Sequence, residues 1–295
     1  MPSPWQSMTP ENISNPKVST SAGHGNWETF PYPVETIYQA AEEWAQLLRA
    51  VEKPWLCWSV NPRWNLVQQR LVQSAGWTPV VGCDPRTPRP PLLDNAIFID
   101  FNKRFQFPVM FFMFPLEFAH CFTARLAFWH ADLLCRLETM QELAQRFDRL
   151  QDGEMTAVLD KGGRRNLLFP LRHRYWELLG CTTRGASAHQ FQHGAGWWRS
   201  FQKHPNCPEA ERAERNKIDY DFGMGIMFWK RHHGGRVIDI DRKLVEEGHC
   251  TSIGKKDYKR VSQEGDLRNM SAELDLNYSL EEVTSRLGIR HLLDT

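Results

Sequence analysis

The nine residues AFWHADLLC (127–135) contain two side chains that bind cations, His130 and Asp132, in an otherwise apolar run. In an extended chain, residues i and i+2 lie on the same face of a strand. We therefore expect the imidazole and the carboxylate to project together near the end of a buried strand. Such a pair can chelate a cation, and it is costly to bury without a partner. The alternative is that His130 is a core histidine and that Asp132 caps the following helix.

Hydrophobic spacing in the first half predicts the elements that must position this pair. The predicted strands cover 54–60, 77–84, 95–101, 123–135 and 155–160, and the predicted helices cover 34–52, 62–76 and 137–150. The stretch 107–119 fits either a strand or a helix. Strand, helix and strand over 54–84 form a βαβ unit, which predicts parallel pairing. The expected fold class is α/β, with a mixed, mainly parallel sheet flanked by helices.

Beyond residue 160 the sequence pattern changes, because Gly, His and Trp residues separate short segments. It predicts an irregular substrate-binding half that wraps onto the same sheet. A helix over 219–233, a strand over 236–241 and a terminal helix over 279–293 are expected within it. Ser279 is the predicted N-cap of the terminal helix, and Glu282 completes a capping box.

The predicted domain organisation has three parts. Residues 1–30 form an extended or disordered arm, 31–250 one catalytic domain, and 251–295 a C-terminal extension that contains the terminal helix. Within the domain, a nucleotide-binding half covers about 54–160 and a substrate-binding half about 161–250.

The composition restricts the class of partner. The 295 residues carry a net charge of +1 and no long basic block, which disfavours a nucleic-acid binder. Seven scattered cysteines without a CxxC pair indicate reduced thiols. The N-terminus lacks the features of a signal peptide, and 107–119 is too short to span a bilayer. We therefore expect a soluble, cytoplasmic protein without a transmembrane segment.

Other short motifs give no support to rival chemistries. The histidines of HRYWE (173–177), HQFQH (189–193) and HH (232–233) lack the HExxH spacing of zinc peptidases. The sequence contains no GxxxxGK[ST] loop, no GxGxxG after the first predicted strand and no GxSxG.

The segment AFWHADLLCRLETMQELAQRF (127–147) resembles the strand, chelating motif and helix of GT-A fold glycosyltransferases. In that family a DxD or DxH motif at the end of a central strand holds a divalent cation against the diphosphate of a nucleotide-sugar donor. His130 stands here where Asp is usual. Because imidazole suits transition metals better than Mg²⁺, the expected cofactor is Mn²⁺ or another divalent cation.

A second segment, DYDFGMGIMFWKRHHGGRVIDIDRKLVEEGHC (219–250), is similar to one in polypeptide N-acetylgalactosaminyltransferases and β-1,4-galactosyltransferases. In this segment and in those enzymes, an acidic cluster is followed by a helix with aromatic residues, a Gly-Gly turn, a strand and a Gly-His pair. The resemblance implies that His249 is the third metal ligand. It also implies that Asp221 or Asp219 is the general base towards the acceptor hydroxyl, although either carboxylate could simply begin the helix.

Further residues are expected to contact the donor or the acceptor. HGAGWW (193–198) resembles a Gly-Trp loop that walls the acceptor site, although tryptophans are more often core residues. The other candidates follow predicted strands or lie shortly after His249, where lysines could also be a solvated turn. The complete set is Asn61, Arg63, Asp84, Trp197, Trp198, Lys255 and Lys256.

The resemblance implies a metal-dependent glycosyltransferase of the hexosyltransferase type. It would move a sugar from a nucleotide-sugar donor, a UDP-sugar by analogy, to a carbohydrate or other hydroxyl acceptor. One alternative is a metal-dependent phosphohydrolase or nucleotidyltransferase that uses the same ligands. The other is a non-catalytic GT-A-like binding protein, since fold alone does not imply function.

Overall fold

A computed structural model describes residues 34–59, 61–83, 89–100, 116–160, 174–197, 207–211, 223–249 and 279–293. Seven strands form one sheet: β1 (Pro54–Ser59), β2 (Thr78–Cys83), β3 (Ile97–Ile99), β4 (Arg125–Trp129), β5 (Glu154–Asp160), β6 (Arg174–Thr183) and β7 (Arg236–Ile240). Their order is β3-β2-β1-β4-β6-β5-β7, so β4 is the central strand. Among these strands only β6 runs antiparallel to its neighbours. The expected mixed, mainly parallel sheet is confirmed.

Helices cover both faces of the sheet. They are α1 (Val34–Leu48), α2 (Pro62–Ser74), α3 (Ala119–Phe122), α4 (Leu137–Asp148), α5 (Arg184–Gln192), α6 (Met224–His232) and α7 (Leu280–Arg286). Buried side chains of α1, α3, α5 and α6 form one apolar cluster with the sheet, and those of α2, α4 and α7 form a second. In the described ranges, no helix has the length and apolar character needed to cross a membrane.

The βαβ unit at the start of the sheet has clear local causes. Every residue of β1 is buried, because helices cover both faces of the sheet. Asn61 caps α2, and Pro62 at its first position has the backbone angle that a helix start needs. The chain turns at Gly76 (φ +75°) and returns as β2, which pairs parallel with β1. The predicted parallel pairing is confirmed.

The prediction of an irregular second half is wrong for 174–192. The ten residues of β6 lie between β4 and β5, and α5 follows directly. Helices cover both faces of β6, so its apolar residues run together without the alternation that marks a half-exposed strand. Position 180 of β6 requires glycine, because a Cβ atom there would lie 2.3 Å from the backbone oxygen of Thr156.

Two predicted helices are shorter than expected. The helix predicted over 219–233 begins at Met224, after Gly223 with φ +77°. The terminal helix ends at Arg286, and Gly288 (φ +71°) separates it from a 3-10 turn over Arg290–Leu292. The Ser279 cap is confirmed, since its hydroxyl accepts from the Glu282 backbone N–H at 3.0 Å. The predicted N-terminal arm, 1–30, lies outside the described residues.

Candidate metal centre

His130, Asp132 and His249 each bring one ligand atom to within 4.8 Å of the others, just beyond the carboxyl end of β4. His130 Nδ1 lies 3.4 Å from Asp132 Oδ1, and His249 Nε2 lies 3.5 Å from the same oxygen. A metal bound at about 2.0–2.2 Å from each ligand holds neighbouring ligand atoms about 3–3.5 Å apart. The side chains are 14–28% exposed, so the group is open to solvent on one side.

A turn brings His130 and Asp132 together, which corrects the expected strand geometry. The predicted strand over 123–135 ends at Trp129. The Leu133 N–H donates to the His130 carbonyl at 3.2 Å and closes the turn. The Gln68 amide donates to the carbonyls of His130 and Leu133, at 2.7 and 2.9 Å. One side chain of α2 therefore fixes both ends of the turn.

His249 reaches the site through a short antiparallel bridge rather than from a strand end. It pairs with Leu133, and the Leu134 N–H donates to the Gly248 carbonyl at 3.1 Å. At Gly248 a Cβ atom would lie 1.7 Å from the Leu134 carbonyl oxygen. Only glycine permits this approach, so the Gly-His pair in the sequence has a steric cause.

The C-terminal helix supports this bridge from the other side. Arg136 binds both carboxylate oxygens of Glu247, at 2.9 and 2.5 Å, and also donates to the Arg286 carbonyl at 3.1 Å. Arg286 donates in turn to the Glu247 carbonyl at 2.9 Å. These contacts hold the residues before His249 between the start of α4 and the end of α7.

The carboxylates of the group shift the pKa of His130, and the two imidazoles shift the pKa of Asp132. Asp132 Oδ1 is buried and accepts no hydrogen bond within the described ranges. Burial alone would raise the pKa of the Asp132 carboxyl, but His130 and His249 beside it hold that pKa well below its usual range. Burial would lower the pKa of His130, but Asp132 and Glu177 outweigh it and raise this pKa to about 10. A buried anionic oxygen between two imidazoles is a donor set suited to transition metals.

The alternative role for Asp132, as the cap of the following helix, is wrong. That helix, α4, begins after Arg136, and no side chain accepts from its first N–H groups. Asp132 lies four residues before this cap position, in the turn that carries the ligands.

Glu177 is a member of the site that sequence analysis missed. Its Oε1 lies 3.4 Å from His130 Nε2, on the ring edge opposite Asp132, and its side chain is 11% exposed. Burial raises the pKa of the Glu177 carboxyl, but His130 outweighs it and lowers this pKa. In the sequence, Glu177 is a carboxylate inside the apolar run WELLGC, a pattern that can indicate a buried functional group. Its position beside His130 could not be predicted, because β6 was not predicted.

Asn61 and Arg63 lie at the same carboxyl edge, directly after β1. The Asn61 side chain accepts from the backbone N–H groups of Arg63 and Trp64, at 3.1 and 3.3 Å, so its oxygen caps α2. The Arg63 guanidinium forms an ion pair with Glu281 of α7. Their contact with a nucleotide stays a prediction, and for Arg63 it requires this ion pair to open.

Trp197 belongs to the core. It is fully buried and packs edge-on against Phe128 of β4, with ring centroids 5.3 Å apart. In this position it has no free face for a sugar, which favours the core interpretation. The other predicted contacts lie outside the described residues: Asp84, Trp198, Asp219, Asp221, Lys255 and Lys256.

No protein-family model, no curated protein and no solved structure matches this chain. The fold and the geometry of the site are therefore the observations that bear on its function.

Proposed function

We propose that this chain is a metal-dependent glycosyltransferase that transfers a sugar from a UDP-sugar to a hydroxyl acceptor. The observation that carries the proposal is the convergence of His130, Asp132 and His249 beyond the carboxyl end of the central strand. These are the three residues that the resemblance to GT-A fold enzymes implies as ligands, and they come from segments 117 residues apart, from Asp132 to His249.

The position of the group supports a binding role. Ligands of α/β sheets bind beyond the carboxyl ends of the parallel strands, and the group lies there with one side open. Three protein ligands leave further coordination positions open, as catalytic metal sites require. A closed structural site would use four protein ligands.

Each residue then has a defined task. His130, Asp132 and His249 would hold the cation, which supplies Lewis-acid stabilisation of the diphosphate leaving group. Asp221, or Asp219, would accept the proton of the acceptor hydroxyl, the role that the resemblance implies. Gln68 and Gly248 keep the two ligand-bearing segments in register through the contacts described above.

Calorimetric titration of UDP and a panel of UDP-sugars, with Mn²⁺ or with EDTA, tests the proposal. We expect at least one nucleotide to bind with Mn²⁺ only, and Asp132→Ala to abolish this binding. Asp94→Ala is the matched control, because Asp94 is exposed and lies outside the site. Failure of every nucleotide to bind would contradict the proposal.

Incubation of the preferred donor with a panel of carbohydrate acceptors tests the reaction itself. A glycosylated product together with free UDP is the expected result. Release of phosphate without sugar transfer would indicate a phosphohydrolase instead. Nucleotide binding that is independent of the metal, without turnover, would indicate a binding protein.

A further inference from the structure

The His130 ring lies between two carboxylates. Its Nδ1 is 3.4 Å from Asp132 Oδ1, and its Nε2 is 3.4 Å from Glu177 Oε1. The two ring nitrogens therefore have different partners, and only one of them can offer a lone pair to a cation while the other carries a proton.

The position of His249 decides which nitrogen faces the cation. His249 Nε2 lies 3.5 Å from Asp132 Oδ1, so Asp132 is the oxygen that both histidines share. His130 turns Nδ1 towards this shared oxygen, and Nε2 points away from it to Glu177. The cation-binding atoms are therefore His130 Nδ1, Asp132 Oδ1 and His249 Nε2.

We propose that Glu177 is a positioning residue, which accepts the His130 Nε2–H and so keeps the Nδ1 lone pair directed at the cation. Metal-binding histidines commonly donate their second N–H to a carboxylate, which fixes the tautomer and the ring orientation. The inference rests on the cation site of the proposed function, but not on sugar transfer.

The strand that carries Glu177 is held firmly against the metal centre. β6 pairs with β4 through Trp129 and Leu179, and the His130 N–H donates to the Leu178 carbonyl at 2.9 Å. This pairing fixes the backbone on both sides of the contact between His130 and Glu177. The ring orientation therefore depends on the side chain at 177 and not on a mobile loop.

The charge of Glu177 has a second consequence. Its Oε2 is buried and accepts no hydrogen bond from the residues that the structure describes. Glu177 therefore adds a second negative charge beside Asp132, and a cation at this site is attracted by both.

The test uses the full chain without nucleotide or acceptor. Titration with Mn²⁺ should give an affinity about 10- to 100-fold lower in Glu177→Gln and Glu177→Ala than in wild type. Glu138→Gln, an exposed position on α4, should bind as wild type does. Wild-type affinity in both Glu177 variants would overturn the inference.

Long-range ¹H–¹⁵N spectra of the Zn²⁺-bound protein show which nitrogen of His130 binds the cation. We expect His130 to bind through Nδ1 with a proton on Nε2, and Glu177→Ala to populate the other ligation mode. Ligation through Nε2 in the wild type would overturn the inference, because Glu177 would then lie on the cation side. If the wild type binds metal but Glu177 has no effect, only the inference about Glu177 fails. If the wild type binds no metal at all, the proposed function fails as well.

Discussion

The candidate metal centre and a second histidine cluster, between α5 and α6, place the same side chain in very different surroundings. In the second cluster Trp229 Nε1 donates to His189 Nδ1 at 2.9 Å, and His189 Nε2 lies 3.0 Å from His193 Nε2. The His193 ring stacks on His233 at 4.2 Å, and His233 Nε2 lies 3.2 Å from Glu211. Here the ring nitrogens of the imidazoles contact one another or neighbouring side chains.

In the metal centre, by contrast, two imidazoles face one buried carboxylate oxygen that accepts no hydrogen bond within the described ranges. The two clusters therefore differ in their acceptor atoms: the candidate metal centre directs two imidazoles at one carboxylate oxygen, whereas the second cluster pairs imidazoles with one another. Trp229 already uses the Nδ1 lone pair of His189, so the proton of neutral His189 lies on Nε2, the atom that a metal would need.

Among substitutions outside the ligand side chains, Gly248→Ala should have the largest effect. The added Cβ would meet the Leu134 carbonyl at 1.7 Å, so the bridge must open and His249 must move. We expect the affinity for Mn²⁺ to fall by on the order of tenfold or more. The free energy of unfolding should fall by about 1–3 kcal/mol. Calorimetry and denaturant unfolding measure the two effects.

Gly76→Ala is the control for this variant. Gly76 has φ +75° but no atom within 4 Å of a Cβ position. It should cost about 1–2 kcal/mol of stability and leave metal affinity unchanged. An equal loss of metal affinity in both variants would show that affinity follows general stability and not the position of His249.

The pH dependence of metal binding should be the next largest effect. The pKa of His130 is raised to about 10, so the imidazole is protonated in the metal-free chain at neutral pH. A cation must displace this proton, and affinity should therefore rise with pH across the neutral range, by about tenfold per pH unit. Titrations in buffers of different ionisation enthalpy should show the release of close to one proton per cation. Binding without proton release would contradict the assignment of His130 as a ligand.

The sequence predicted those parts of the molecule that local pattern determines. The start of α2 at Pro62, the parallel pairing of β1 with β2 and the Ser279 cap all depend on residues close in the chain. The convergence of His130, Asp132 and His249 was available only through resemblance, because two of these ligands lie 117 residues apart.

The sequence could not predict the parts that depend on tertiary contacts. Apolar and polar residues do not alternate along β6, because both of its faces are covered. Without β6, the position of Glu177 beside His130 could not be inferred. The turn after Trp129 depends on hydrogen bonds from Gln68, a residue of another element. Trp197 could have been core or surface on sequence alone, and only its packing against Phe128 favours the core.

Gln68→Met should have a smaller effect, because Gln68 holds the backbone of the turn and not a ligand side chain. Its amide donates to the carbonyls of His130 and Leu133, and methionine keeps the volume but removes both bonds. We expect metal affinity to fall by about tenfold or less. Gln69→Met is the control, since Gln69 is also buried on α2 but bonds to Asn65 and Pro91. Equal affinity in the two variants would show that the turn does not need Gln68.

His189→Ala should have no effect on metal affinity. It should lower the free energy of unfolding by about 1–3 kcal/mol, because the buried Trp229 N–H loses its acceptor. His249→Ala is expected to show the opposite pattern, with loss of metal binding. A loss of metal affinity in His189→Ala would remove the distinction between the two clusters.

Anomalous diffraction at the manganese edge, from crystals soaked in Mn²⁺, locates the bound cation directly. We predict one strong peak bound by His130 Nδ1, Asp132 Oδ1 and His249 Nε2. No peak at these atoms, or a peak between His189 and His193 instead, would contradict the account.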